Sequence, residues 1–201
     1  MLVADVNVWK NKKTMFIKRI ESDREIGYLD PGIDETLSLI NKREKSYTTS
    51  SCSGRISIVD TDYLWKRNEL PLIFKKHSEV SSEELISIFK KEPMNTFWLI
   101  VSGPILHVRT LDIEEALFIL NAGREAGFKH SGIMSYSEDG YLVELISGTQ
   151  FNFPIKNKNG YLINIEKIDY IAKLANSALV DGRRKLEKLN QFLKEKENEI
   201  R

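Results

Sequence analysis

The apolar residues of this chain come in short runs, and none is longer than FWLIV, Phe97–Val101. A membrane span needs roughly 20 consecutive apolar residues, so nothing here is expected to cross a bilayer. The fold must be built from amphipathic helices and short strands. The start, MLVADVNVWKNKK, has no basic segment followed by a long apolar core, so no signal peptide is read there and the expected location is the cytoplasm. Among 201 residues, 41% are apolar and 29% charged, which allows a buried core and excludes a disordered or fibrous class. The single cysteine, Cys52, cannot close an internal disulfide or supply the cysteine pairs of a zinc site, and no metal is expected. A formal charge of +1 gives no global basic field for nucleic acid. Local basic clusters remain at Lys10, Lys12 and Lys13, at Lys42 and Arg43, at Lys75 and Lys76, and at Arg183, Arg184 and Lys185. Each alone reads first as a solvated helix face.

Trp9, Phe16 and Ile20 are spaced like one helix face, which predicts a first helix from an Asn7 cap to about Glu21. Asp30-Pro31 reads as the cap and first turn of a second helix with Ile33, Leu37 and Ile40 on one side. TTSSCSGR interrupts that pattern before a short strand, ISIVD. Ser81 with Glu84 fits a capping box, and Asp112 with Glu115 fits another. Between them lie two strands, TFWLIV and PILHVRT. GIMSYSEDGYLVELIS is a hairpin whose Asp139-Gly140 suits a tight turn. A last helix is expected from Asn164, with Ile168, Ile171 and Leu174 facing the core, and its tail, 195–201, is expected to fray. The whole, 1–201, reads as one domain of α+β class, with mixed sheets and flanking helices. Helix, TTSSCSGRISIV, strand is echoed by helix, FKHSGIMSYS, strand, which is consistent with an internal duplication that brings two Ser-Gly turns to one cleft.

No phosphate loop, dinucleotide fingerprint, zinc-protease helix or nucleophile elbow is present, and nothing supplies the glycine-rich first turn of a Rossmann methyltransferase. The unusual stretch is YTTSSCSGRISIVD, Tyr47–Asp60, with seven small residues in succession from Thr48 to Gly54. Small residues let backbone approach a ligand, the hydroxyls of Ser50, Ser51 and Ser53 bond anionic or amide groups, and Arg55 forks onto a carboxylate or phosphate. The same residues also suit a self-satisfied turn with Cys52 packed as a small apolar group. A thiolate at Cys52 would need a base from His77, His107 or His130. His107 alternates with Arg109 in a strand, so the two share a face. On an accessible face they make a binding or acid-base pair; on a buried one, His107 is a hydrogen-bonded core residue.

YTTSSCSGRI resembles a segment of the wybutosine-synthesis tRNA methyltransferase family, in which Ser-Ser-Cys-Ser-Gly-Arg follows a helix. ILHVRTLDIEEALFIL, AGFKHSGI, FNFPI and YIAKLANSALVDGRRKLEKL resemble further segments of that family in the same order, over roughly residues 7 to 195. Three departures stand out. REIGYLDPGIDE lacks the family's Lys-Gly pair, VSGPILHV lacks its Phe-Glu-Pro-Phe and with it a carboxylate, and His130 stands where asparagine is common.

The resemblance implies methyl transfer from S-adenosylmethionine to N4 of a 4-demethylwyosine-type base beside the anticodon of phenylalanine tRNA, on a non-Rossmann fold. By position it implies catalytic roles for His107 and Ser53. It also implies cofactor contacts from Ser50, Ser51, Cys52, Gly54, Arg55, Ser131, Gly132 and Ser147. The partner expected is the anticodon loop of that tRNA, held by basic contacts and by stacking on an aromatic such as Trp98 or Tyr136. Two competing classes are a tRNA-binding module without chemistry and a thiol enzyme using Cys52.

Overall fold

The computed structural model describes residues 4–66 and 71–199. Helix α1 (Val6–Glu25) is capped by Asp5, whose side chain accepts from the backbone N–H groups of Asn7 and Val8. The cap therefore precedes Asn7, and the helix continues past Glu21. Helix α2 (Asp34–Lys42) starts beyond Asp30-Pro31 and has no side-chain cap. Asp30 is used elsewhere: its carboxylate accepts from the N–H of Ser53 at 2.9 Å.

The small-residue stretch read as an interruption is a strand, β1 (Ser46–Cys52). Ladder hydrogen bonds to a partner strand outweigh the weak strand preference of serine. Only Ser53 and Gly54 separate β1 from β2 (Arg55–Asp60). Gly54 has φ of 96°, and a Cβ there would sit 2.9 Å from the carbonyl oxygen of Ser102. The tight turn therefore demands glycine for its own backbone.

The remaining elements include the helices and strands expected from Ser81 onward, and also strands at 72–76 and 160–161 that no pattern signalled. They are β3 (Leu72–Lys76), α3 (Ser82–Phe89), β4 (Thr96–Ser102), β5 (Ile105–Thr110), α4 (Ile113–Glu125), β6 (Gly132–Ser137), β7 (Gly140–Ile146), β8 (Gln150–Asn157), β9 (Gly160–Tyr161) and α5 (Ile168–Glu199). Ser81 and Glu84 close a full capping box on α3. Asp112 caps α4 by accepting from the N–H of Glu115, but the Glu115 side chain turns away to Arg43 and Ser46. Gly140 takes a φ of 86° at the β6–β7 turn. No helix among the described residues is long and apolar enough to cross a membrane.

The chain folds into two compact units that interleave along the sequence. The first comprises Met1–Ser53, Pro104–Gly148 and Arg183–Arg201; the second comprises Gly54–Gly103 and Thr149–Gly182. The two halves of the sequence therefore do not build one unit each.

In the first unit a four-stranded antiparallel sheet has the order β1-β5-β7-β6. Leu106, Val108, Val143 and Leu145 pack on one face beneath Leu37, Ile40, Ile119, Leu186 and Leu189. The opposite face carries Tyr47, against which α1 lays Trp9 edge-on and Phe16 in a stack, at centroid distances of 5.4 and 5.5 Å. Arg43 forks onto Glu115 with bonds of 2.6 and 2.9 Å and lies over the ring of Phe118.

In the second unit a five-stranded sheet has the order β3-β2-β4-β8-β9, again antiparallel throughout. Its core contains Ile56, Ile58, Leu85, Phe89, Phe97, Leu99 and Ile155, with Ala172, Ala175 and Leu179 from α5. Leu174, expected in that core, is 48% exposed. The helix turns its alanine side to the sheet instead, where small side chains permit close approach.

Candidate active site on the four-stranded sheet

Strand register decides which residues of the first unit can meet. Ser50 lies opposite His107, His107 opposite Glu144, and Glu144 opposite Gly132. These residues form one row across all four strands, and residues directly opposite share a face. The next residues along, Ser51, Leu106 and Leu145, also pair and point to the other side. Leu106 and Leu145 belong to the core, so the His107 row lies on the opposite face. His107 and Arg109 are both partly exposed there, which resolves the alternative in favour of the accessible face. Arg109 itself donates to Ser137 and to the carbonyl of Gly140, so it braces the hairpin.

His107 Nε2 lies 2.6 Å from Glu144 Oε2, with side-chain exposures of 30% and 17%. A carboxylate can only accept, so the ring nitrogen facing it carries the proton and Nδ1 is left as the acceptor. Glu144 is the member of this row that sequence reasoning missed. Alternation in YLVELI placed it on the same face as Leu142 and Ile146, but its meeting with His107 depends on long-range register. At the end of the row, a Cβ built on Gly132 would meet nothing within 4 Å. That end of the row is thus open to an approaching group.

The expected serines divide into two kinds. The Ser131 hydroxyl donates to Phe128 O at 2.6 Å and accepts from Ile146 N–H at 3.0 Å, so it ties the start of β6 to β7. Ser147 is buried and accepts from Lys185 Nζ at 3.4 Å. By contrast, the hydroxyls of Ser51 and Ser53 are buried with no hydrogen-bond partner among the described residues. An unpaired buried hydroxyl costs about 1–3 kcal/mol, and such groups cluster where a ligand completes the bonding. Cys52 is partly buried beside Ile105. Gly54 and Arg55 belong to the second unit, where Arg55 opens β2 as an exposed side chain.

Beside β1 lies a cavity of about 280 Å³, lined by Phe16, Arg19, Asp23, Tyr28, Ser50 and Ser51 among others. Arg19 and Asp23 are 3.8 Å apart on successive turns of α1. The wall thus offers one cation, carboxylates, aromatic surface and an orphaned hydroxyl. That set suits a ligand that carries charged groups beside a flat apolar part.

The chain thus presents an α+β fold without a Rossmann turn, with the hydrogen-bonded pair His107 and Glu144 on one sheet face and a cavity beside β1. The profile of the family described as Methyltransferase TYW3 matches residues 11–195, and the chain belongs to that family. It is accordingly a methyltransferase. A relative from Saccharolobus solfataricus, named tRNA(Phe) 7-((3-amino-3-carboxypropyl)-4-demethylwyosine(37)-N(4))-methyltransferase, is 38% identical over 95% of this chain and 92% of its own length. One of the same name from Aeropyrum pernix is 36% identical over 86% and 92%. The solved structure of PH1069 protein from Pyrococcus horikoshii superposes with a TM-score of 0.85 at 29% identity, covering 92% of this chain and 95% of that one.

Proposed function

We propose that this protein transfers a methyl group from S-adenosylmethionine to N4 of a 4-demethylwyosine-type base at position 37 of phenylalanine tRNA, in the cytoplasm. The observation that carries the reading of the substrate is the shared activity in the names of two relatives that align over nearly their full length. S-adenosylmethionine, when bound, supplies an electrophilic methyl on a sulfonium. The residues that would hold it are those of the cavity wall, with the hydroxyls of Ser50 and Ser51 as donors and Arg19 and Asp23 as charged partners.

Methylation at nitrogen forms one N–C bond and leaves the N–H proton to be removed. His107 Nδ1 is the acceptor, and Glu144 stabilises the imidazolium that results. Glu144 is a positioning residue: it fixes the tautomer and ring orientation of His107 without touching the base. Alignment of the lone pair with the methyl, and exclusion of water, supply most of the remaining acceleration. Ser131 and Ser147 support the backbone around the row, and Gly132 leaves space for the base above Glu144.

The test is mass spectrometry of nucleosides from phenylalanine tRNA of a strain lacking this gene, before and after incubation with purified protein and S-adenosylmethionine. One added methyl on the tricyclic base, dependent on the cofactor, is the expected outcome. An unchanged mass despite tRNA binding would favour a binding module over an enzyme.

A further inference from the structure

We propose that the face of the five-stranded sheet opposite its core, with the turn Tyr63–Lys66 at its end, docks unpaired bases of the RNA substrate. The proposal rests on the tRNA reading above and supplies what that reading lacks, a surface for further nucleotides of the same RNA.

Tyr63 and Trp65 stand side by side in the turn after β2, with ring centroids 5.0 Å apart. Tyr63 is 43% exposed and Trp65 is 72% exposed. Lys66 holds its ammonium 4.8 Å from the Tyr63 ring, and its N–H donates to Tyr63 O, closing the turn. A third ring is tied to the same place. Trp98 lies opposite Val59 and Pro154 on the face away from the core, and its Nε1 donates to Thr61 O at 3.0 Å.

Behind these rings the face changes chemistry row by row. Lys75, Ser57, Ile100 and Asn152 form one row, and Arg55, Ser102 and Gln150 the next. Lys75, Asn152, Arg55 and Gln150 are exposed. From Asp60 to Arg55 the strip measures about 17 Å at 3.3 Å per residue. Rings at one end and cations and amides along the rest suit a single strand, in which flat bases alternate with phosphates.

Charge supports the same occupant. Lys75 and Arg55 lie on the strip and Lys66 beside the Tyr63 ring, while Asp62 precedes the turn and Asp60 spends its carboxylate on the N–H groups of Met94 and Asn95. A duplex would not satisfy the rings, because its bases are stacked on each other. A protein partner would be expected to meet a contiguous apolar patch, whereas this one gives way to charged and amide groups within one row.

The test is fluorescence anisotropy with a labelled synthetic anticodon stem-loop of phenylalanine tRNA. Trp65→Ala is expected to weaken binding roughly ten-fold or more, and Trp65→Phe only about three-fold, because a ring remains to stack on. Lys75→Ala should reduce the salt slope by about one. A blunt RNA duplex of equal length should compete poorly.

Unchanged binding in Trp65→Ala, or a duplex that competes as well as the stem-loop, would overturn the proposal. So would these variants abolishing self-association while leaving RNA affinity untouched, which would make the face a protein contact. Methylation by the wild-type protein separates the two readings. If it methylates the tRNA but Trp65 is irrelevant to affinity, only the docking surface fails. If Trp65 governs affinity and no methyl is ever transferred, only the enzymatic reading fails.

Discussion

The two sheets are built alike and used differently. Each is antiparallel, each buries one face under helices, and each leaves polar groups on the other. On the four-stranded sheet the face away from the core holds a short, half-buried hydrogen bond between His107 and Glu144. On the five-stranded sheet it holds exposed rings and separated cations. Proton transfer needs a fixed tautomer and limited water, whereas capture of a flexible strand needs surface that water can leave easily. On the two proposals made above, one architecture serves both tasks, and the side chains at alternating strand positions decide which.

The largest effect that would sharpen this contrast is expected at His107. His107→Ala should lower the single-turnover methylation rate by about 10²–10⁴-fold, with stem-loop affinity within about three-fold of wild type. Near-normal turnover would remove His107 from the chemistry. Glu144→Gln should lower the rate less, by about 10–100-fold, and shift the pH profile of the rate, because a neutral amide no longer fixes the ring. An unchanged profile would leave Glu144 with a merely structural part.

Stability should distinguish the units as well. Glu115→Ala removes both bonds to Arg43 and leaves a half-buried guanidinium unpaired, so denaturant unfolding is expected to show a loss of about 3 kcal/mol. Burial pushes the Tyr47 phenol up to about 12, with Asp139 adding to the rise. Below pH 10 the phenol is protonated in both folded and unfolded chains. Between 10 and 12 the unfolded chain ionises while the folded one keeps its proton, so about 2–3 kcal/mol is lost as pH rises. Tyr47→Phe should flatten that alkaline limb, as urea titrations at pH 9 and 11.5 would reveal.

The smallest expected effect belongs to the second unit. Ser81→Ala should cost about 1 kcal/mol by removing the cap of α3. The hydrogen bond from Lys76 holds the Glu84 carboxyl below its ordinary range. Its contribution is therefore present above the unfolded value and is lost as pH falls through the folded one. An acid limb steeper in wild type than in Glu84→Gln would bear this out.

Local signals in the sequence were legible where neighbours along the chain decide the outcome. The Ser81–Glu84 box, the Asp112 cap and the Asp139-Gly140 turn each involve residues within a few positions. β1 was not, because its serines become a strand only through pairing with β5. Asp30 was misjudged for the same reason: its partner is Ser53, beyond both α2 and β1. The motif Ser50–Arg55 and His107 stood out by resemblance, yet Glu144 emerged only from register. Tyr63 and Trp65 left a trace in the sequence, YLWK, that no periodicity singled out.

The interleaving of the two units has a consequence for biosynthesis. The second unit has all its segments once residue 182 has been made, whereas the first still lacks the part of α5 that supplies Leu186, Leu189 and Leu193 to its core. Asn190 on that stretch also accepts from buried Thr36. A nascent chain that has reached residue 182 therefore holds α1, α2, α4 and the complete four-stranded sheet, with the part of its apolar side that Leu186, Leu189 and Leu193 cover still open. At about 5–20 residues per second, the stretch from the end of the sheet at Ile146 to Leu193 takes roughly 2–9 seconds to make, and the apolar surface open to misassociation in that time is the part of the sheet's underside that α5 will cover.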